Sequence, residues 1–576
     1  MCNSCNPQMM SFMRSYVGRR DFLKFAAGSV AFGLGGNAPA MAETATADRI
    51  FLSRTILTMN AAAPNADAIA VKGGRIIAVG KREDVLSLKG PQTDVRDFGD
   101  YPVLPGFIDP HMHSNFSGLR PWLDVGPFTT ADLDAARTKI KQAASTAKSG
   151  GWVQAKMLDP SIMPGKEFSR ADLDALSPDV PVFVLESNGH VAYVNSAALR
   201  LGKVTRDLPD PPQGRFGRDA AGELNGRLEE PPAFQPFVTV MPSPSTAEFA
   251  NLLRADFEEA VSRGCTALHD CGIGTLFAEG DLHLIDTVMA ENAPLRYAGF
   301  LVSTHFAKWQ EMGLKPGMRS EKFKLTGIKA WADGSNQGGT GFQREPYLAS
   351  SSRGALNYTG EEIEKVIREA HDAGWQVGVH ANGDAAIDVV LQAFKAALAG
   401  SDGRTLRHRI EHCSLLHDEQ IEIMASLGIS PSFLIGHVHY WGKAFQQRIL
   451  GPDRASMLDR CRSAIDKGLR ISLHSDYNVT PIDPLRCIQN AVVRDMREGG
   501  GVLNEAERIT PLEAIRAMTI DAAWQCQLDD LCGSLEIGKA ADIVVLEQDP
   551  TKVDPQAIEK IKVHSTWLDG ESRFAA

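Results

Sequence analysis

The chain is poor in several features that would each have pointed to a function. It has only 9 cysteines in 576 residues, too few for a small disulfide-stapled scaffold. No block of basic residues interrupts a balance of 60 Lys+Arg against 71 Asp+Glu, a net charge of −11. A nucleic-acid partner held by phosphate neutralisation is therefore not expected, nor is a polybasic membrane-surface patch. The acidic excess reads as a solubility feature. No stretch is long and apolar enough to cross a bilayer as a helix, which takes about 20 residues. There is no short-period internal repeat. What remains is an ordinary globular composition, with 43% hydrophobic, 7% aromatic and 23% charged residues. That excludes a fibrous, collagen-like or disordered chain. The length allows a large core and roughly two to four domains, although one α/β barrel can take more than about 250 residues.

The N-terminus reads as an address. Arg19-Arg20-Asp21-Phe22-Leu23-Lys24 precedes an apolar, small-residue run over 25–36, and Ala40-Met41-Ala42 offers a small-x-small cleavage site. This order resembles a twin-arginine export signal spanning 1–42, which implies a periplasmic or secreted protein without a membrane anchor in its mature form. Cys2 and Cys5 fall inside that segment, so their C-x-x-C spacing is discounted as a metal or redox motif. The spacing of the other cysteines demands no disulfide.

The mature chain has strand-like ends and an alternating middle. Near the N-terminus, Lys72-Gly73-Gly74-Arg75 is a hairpin signal between two β-branched runs. Near the C-terminus, Asp542-Ile543-Val544-Val545-Leu546 reads as a strand, with another over 563–568. Between these ends, strands and helices alternate, which argues for parallel β/α units. Thr359-Gly360-Glu361-Glu362 forms a capping box, Gly374 stops its helix, and the next strand ends at His380. The Pro-rich stretch over 208–215, with Pro231 and Pro232, reads as an irregular loop or insertion. The expected fold class is α/β, with a small β domain built from both termini.

The chemistry is concentrated where apolar strands stop. Pro105-Gly106-Phe107-Ile108-Asp109-Pro110-His111-Met112-His113 ends in two histidines two residues apart. In extended backbone both rings point the same way, which suits two ligands on one metal ion. An H-x-H alone is a weak signal. Later strand ends add Lys329 before Trp331-Ala332-Asp333-Gly334, His380 after Val379, Glu411-His412 after Ile410, and His474-Ser475-Asp476. In a barrel these positions meet at one face. Four histidines, a lysine and an aspartate in that order are hard to obtain by chance.

On these motifs the chain resembles the amidohydrolase superfamily, closest to its N-substituted formamide deformylase-like branch. The resemblance covers nearly all of the mature chain and implies a (β/α)8 TIM-like barrel over 105–530 with a small β-sandwich from both termini, 43–104 and 531–576. It implies a binuclear metal site of His111, His113, Lys329, His380, His412 and Asp476. It further implies a carboxylated Lys329 bridging two divalent ions, zinc first, with manganese, iron or cobalt as alternatives. Asp476 is then the catalytic residue, taking a proton from metal-activated water and passing it to a leaving amine. His190 and His437 are weaker candidates for substrate contacts, each with a structural role equally open. Glu411, beside His412, is read as an orienting acceptor for a metal-bound histidine.

The function expected is hydrolysis of non-peptide carbon–nitrogen bonds in a small-molecule substrate, of amide or formamide type. A lactonase or esterase on the same metal site is one alternative, and a non-catalytic binding or regulatory protein on a retained barrel is the other. A homodimer is a family-level expectation.

Overall fold

Eight apolar strands, each followed by a helix, form a parallel sheet in the order of the sequence. They are β1 (Phe107–Met112), β2 (Cys265–Ile273), β3 (Arg296–Val302), β4 (Phe323–Trp331), β5 (Gln376–Ala381), β6 (Arg409–His412), β7 (Ser430–Phe433) and β8 (Ser472–Leu473). This computed structural model describes residues 46–148, 150–401 and 403–576. The segment 1–42, with Cys2 and Cys5, on which the export-signal expectation falls, lies outside the described residues.

The strands β1 to β8 are buried along their whole length except for half-buried Lys324 and Trp331 on β4, as expected when helices cover a parallel sheet. The sheet curls until its ends nearly meet. A parallel bridge pairs Met112 with Tyr477 beyond the short β8. Asp476 N–H donates to His111 O at 3.1 Å, and His113 N–H donates to Tyr477 O at 3.0 Å. The barrel expectation therefore describes the architecture. The capping box is also present: Glu362 N–H donates to Thr359 Oγ1 at 3.2 Å, and Thr359 N–H to Glu362 Oε2 at 2.8 Å. That helix spans Gly360–Asp372, and Gly374 ends it at φ +81°.

The two chain ends build one eight-stranded sheet. Ile543–Leu546 pairs antiparallel with Val103–Pro105 and so joins the termini. The predicted hairpin turns at Gly73 and Gly74, at φ +55° and +76°, where glycine carries no Cβ penalty. Phe51 and Trp567 meet edge-on across this sheet with centroids 5.0 Å apart.

A second sheet lies inside the span expected for the barrel. Between β1 and β2 the chain forms six strands, from Leu123–Asp124 to Leu224–Glu229, with their own helices. Two hydrophobic clusters, separate from the barrel core, hold this insertion together. Its strand–helix alternation has the same period as the barrel's, so the sequence pattern does not separate them. Pro231 and Pro232 were expected in a loop. They open the helix Pro231–Val238 instead, because proline at the first helical turn removes only an N–H that lacks a helical partner anyway.

Among the described residues, all seven cysteines are buried and unpaired. No helix there is long and apolar enough to cross a membrane.

Candidate metal and catalytic site

The strand ends bring a dense polar cluster to the mouth of the barrel. His111, His412 and Asp476 offer ligand atoms that all lie within 4.8 Å of one another. His113 Nε2 is 3.2 Å from Asp476 Oδ1, and Lys329 Nζ is 3.2 Å from His111 Nε2. His380 joins through its ring, whose centroid is 4.5 Å from that of His412. All six residues expected from the sequence thus sit together. His474 is an addition, stacked on His111 with centroids 4.5 Å apart.

Local folding explains their placement. Asp109 ties β1 to the end of β8: Ser475 Oγ donates to Asp109 Oδ2 at 2.5 Å, and His111 N–H donates to Oδ1 at 3.3 Å. This sets Asp476 beside His111. Asp333 does the same across the loops after β4 and β5. It accepts from the backbone of Phe342, Asn382 and Gly383 at 2.8, 3.0 and 2.8 Å. The Gly334 carbonyl then accepts from His380 Nε2 at 3.0 Å. A Cβ on Gly334 would lie 2.0 Å from Thr340 Oγ1 and 2.2 Å from Glu230 Oε1, so this turn requires glycine. His412 and Asp476 occupy left-handed backbone, at φ +70° and +51°. Such positions are costly for non-glycine residues and concentrate at functional sites.

The hydrogen bonds also fix which ring nitrogens stay free. His111 Nδ1–H donates to Glu411 Oε2 at 2.7 Å, leaving Nε2 to face Asp476 and Lys329. His380 uses Nε2 on Gly334, leaving Nδ1. His412 Nδ1 and Asp476 Oδ1 are buried with no hydrogen-bond partner. Buried unsatisfied polar atoms cost about 1–3 kcal/mol each and call for an explanation. Burial, reinforced by neighbouring cationic groups, pushes His111, His380 and His412 well below the usual imidazole range. Their neutral rings are the form that binds metal. Burial alone would raise Asp476. His113, His474 and Lys329 outweigh it and hold this carboxyl well below its ordinary range.

Glu411 orients His111 and not its neighbour His412. Adjacent strand residues face opposite sides of a sheet, so the two side chains cannot share a direction. Arg409 neutralises Glu411 through two hydrogen bonds of 2.8 and 2.7 Å, all within the barrel interior.

His190 comes from the insertion. It lines the same cavity as His113, His380, His412 and Asp476. Its Nδ1 bonds Glu230 Oε2 at 2.7 Å, and Glu230 N–H donates back to His190 O at 2.7 Å. Burial opposes protonation, but Glu230 prevails and raises the ring above its ordinary pKa. Glu230 was missed in the sequence; a pairing across 40 residues carries no local signal. His437 does not line this cavity. It turns inward, where its Nδ1 meets Ser414 Oγ at 3.2 Å. Ser414 donates to Asn382 Oδ1 at 2.5 Å, so His437 braces the site from behind.

A cavity of about 190 Å³ opens over this cluster, and much of its wall comes from the insertion. A parallel barrel with histidines and a carboxylate converging at its C-terminal strand ends has its candidate site where barrel enzymes carry theirs. The amidohydrolase family's profile matches residues 94–574. The chain belongs to that family and is a hydrolase of carbon–nitrogen bonds other than peptide bonds. It is 27% identical over 547 residues to the N-substituted formamide deformylase of Arthrobacter pascens, covering 92% of this chain and 98% of that protein. It is 29% identical over 516 residues to the protein LONG AFTER FAR-RED 3 of Arabidopsis thaliana, covering 87% of each. The solved structure of an uncharacterized metal-dependent hydrolase from Pyrococcus horikoshii shares the fold, with a TM-score of 0.69 at 21% identity. That match covers 88% of this chain and 99% of the other.

Proposed function

We propose that this protein hydrolyses small amides, of formamide or acylated-amine type, at a divalent metal centre held by His111, His113, Lys329, His380, His412 and Asp476. The observation that carries this reading is the pair of orphaned buried atoms, His412 Nδ1 and Asp476 Oδ1, within a cluster of neutral imidazoles. Imidazole and carboxylate donors suit zinc, with manganese, iron or cobalt as alternatives. Lys329 is fully buried beside His111. Carboxylated, it would supply an anionic oxygen ligand to the metal centre. A divalent metal supplies Lewis-acid polarisation and acidifies water at such a site.

The chain's own residues supply the rest. Asp476, held ionised, takes the proton of the attacking water and passes it to the leaving nitrogen. His190 is anchored by Glu230, which favours its protonated form; in that form its Nε2–H would hold the substrate carbonyl oxygen as charge develops. Both the Phe51–Trp567 contact and the shared terminal sheet favour a sandwich beside the barrel. The Arg19-Arg20 motif and the small-x-small site at 40–42 support export.

The deciding experiment is elemental mass spectrometry on the purified protein without added metal. Two equivalents are expected, falling to one in Lys329→Ala, together with amide cleavage that chelation abolishes. Absence of metal, with none taken up on reconstitution, overturns the reading in favour of a binding protein. For export, cell fractionation of an Arg19→Lys/Arg20→Lys pair should leave the protein in the cytoplasm. Unchanged export would refute that part.

A further inference from the structure

The cavity above the site is unequal in its chemistry. Its ionisable lining residues are His113, His380, His412 and Asp476 from the barrel strand ends and His190 from the insertion beside them, and every other lining side chain is uncharged. The wall is mostly apolar and aromatic: Trp122, Phe183, Phe234, Val238 and Met241 come from the insertion and the segments that flank it, and Phe277 from the loop after β2, with Gln154 and Asn188 among its few uncharged polar side chains. The insertion residues are held by a hydrophobic cluster of their own, so the wall is a built surface. The insertion is tied to the barrel loops by Arg227 Nη2 donating to Gly338 O at 2.8 Å and Trp441 Nε1 donating to Asp159 Oδ2 at 2.7 Å.

From this asymmetry we infer the substrate class: a neutral amide whose distal group is apolar, of the size of one ring or a short alkyl chain, seated against the insertion wall. The inference rests on the amide-hydrolase reading of the floor. The volume of about 190 Å³ compares with about 150 Å³ for a protein cavity that takes one benzene. Continuity of the wall with the site fixes the occupant as the remote part of the substrate. A distal carboxylate or ammonium finds no counter-charge on the wall and loses its hydration on entry. Binding energy gained by the apolar group then orients the scissile bond over Asp476.

The test uses the metal-loaded enzyme and two neutral series, N-alkylformamides and N-methylalkanamides, from one to six carbons. One series, or both, is expected to gain about fourfold in kcat/KM per added methylene until the cavity fills. The series that carries the slope tells whether the apolar group is on nitrogen or on the acyl carbon. Chains of equal length ending in a carboxylate are expected to be at least about 100-fold poorer. Val238→Arg should narrow that gap by supplying a counter-charge. A flat response in both series, or equal use of the carboxylate-ended chains, overturns the inference. Calorimetric titration of Asp476→Asn with N-hexylformamide and its carboxylate-ended counterpart tests the wall even if no amide is cleaved. Preferential binding of the neutral probe supports the wall assignment while the catalytic reading fails. Equal or absent binding of both overturns it.

Discussion

The barrel floor and the inserted wall face one cavity and are built by opposite rules. The floor buries charge and polar atoms and balances them through fixed partners: Arg409 on Glu411, Glu411 on His111, Ser475 on Asp109. The wall buries mostly aromatic and aliphatic side chains, which need no such partners. The difference teaches where each kind of mutation should register. A change in the floor should alter chemistry or leave an uncompensated charge. A change in the wall should alter which molecule is admitted.

The sharpest break in that comparison is Asp476→Asn. Loss of the proton carrier should lower kcat by about 10²–10⁴-fold. The KM for a neutral amide should change little, since the wall is untouched, and steady-state kinetics reads both. Next is Glu411→Gln, which leaves the Arg409 guanidinium buried without its counter-charge. Urea denaturation should show a loss of about 3–5 kcal/mol. Pairing Glu411→Gln with Arg409→Met should recover most of it. Phe234→Ala probes the wall. It should lower kcat/KM roughly tenfold for the longest neutral substrate while leaving kcat for the shortest unchanged.

The smallest effect concerns pH. Glu186, in the insertion, is buried and pushed up to about 7, chiefly by burial, despite hydrogen bonds from Tyr193 and Asn188. The folded state therefore holds this proton more tightly than the unfolded chain. Its contribution is fully present below the ordinary glutamate value and is lost as pH rises through about 7. Between these limits the slope is at most about 1.4 kcal/mol per pH unit. Glu186→Gln should flatten that part of the stability profile, measured by denaturant midpoints from pH 4 to 8.

The barrel could be read from the sequence because its signals are local. Thr359 and Glu362 form their capping box within one helical turn, and His111 and His113 share a strand face by the two-residue period. Strand ends that converge only in the folded barrel could be read too, since each ends an apolar run. Other features depend on long-range contacts and left no such trace. Glu230 reaches His190 across 40 residues, and Glu411 reaches His111 across 300. The inserted sheet repeats the barrel's own periodicity, so only three-dimensional pairing marks it off. His437 failed as a cavity residue because the backbone after β7 turns its ring toward Ser414.

The inserted sheet leaves the barrel after β1 and returns before β2, so one continuous stretch of chain carries most of the cavity wall. The catalytic groups apart from His190 and Glu230 lie elsewhere in the sequence. Evolution, or an engineer, can recut that stretch as a cassette. Related enzymes with different diets then need differ in one exon-sized block, provided that the His190–Glu230 pair travels with it.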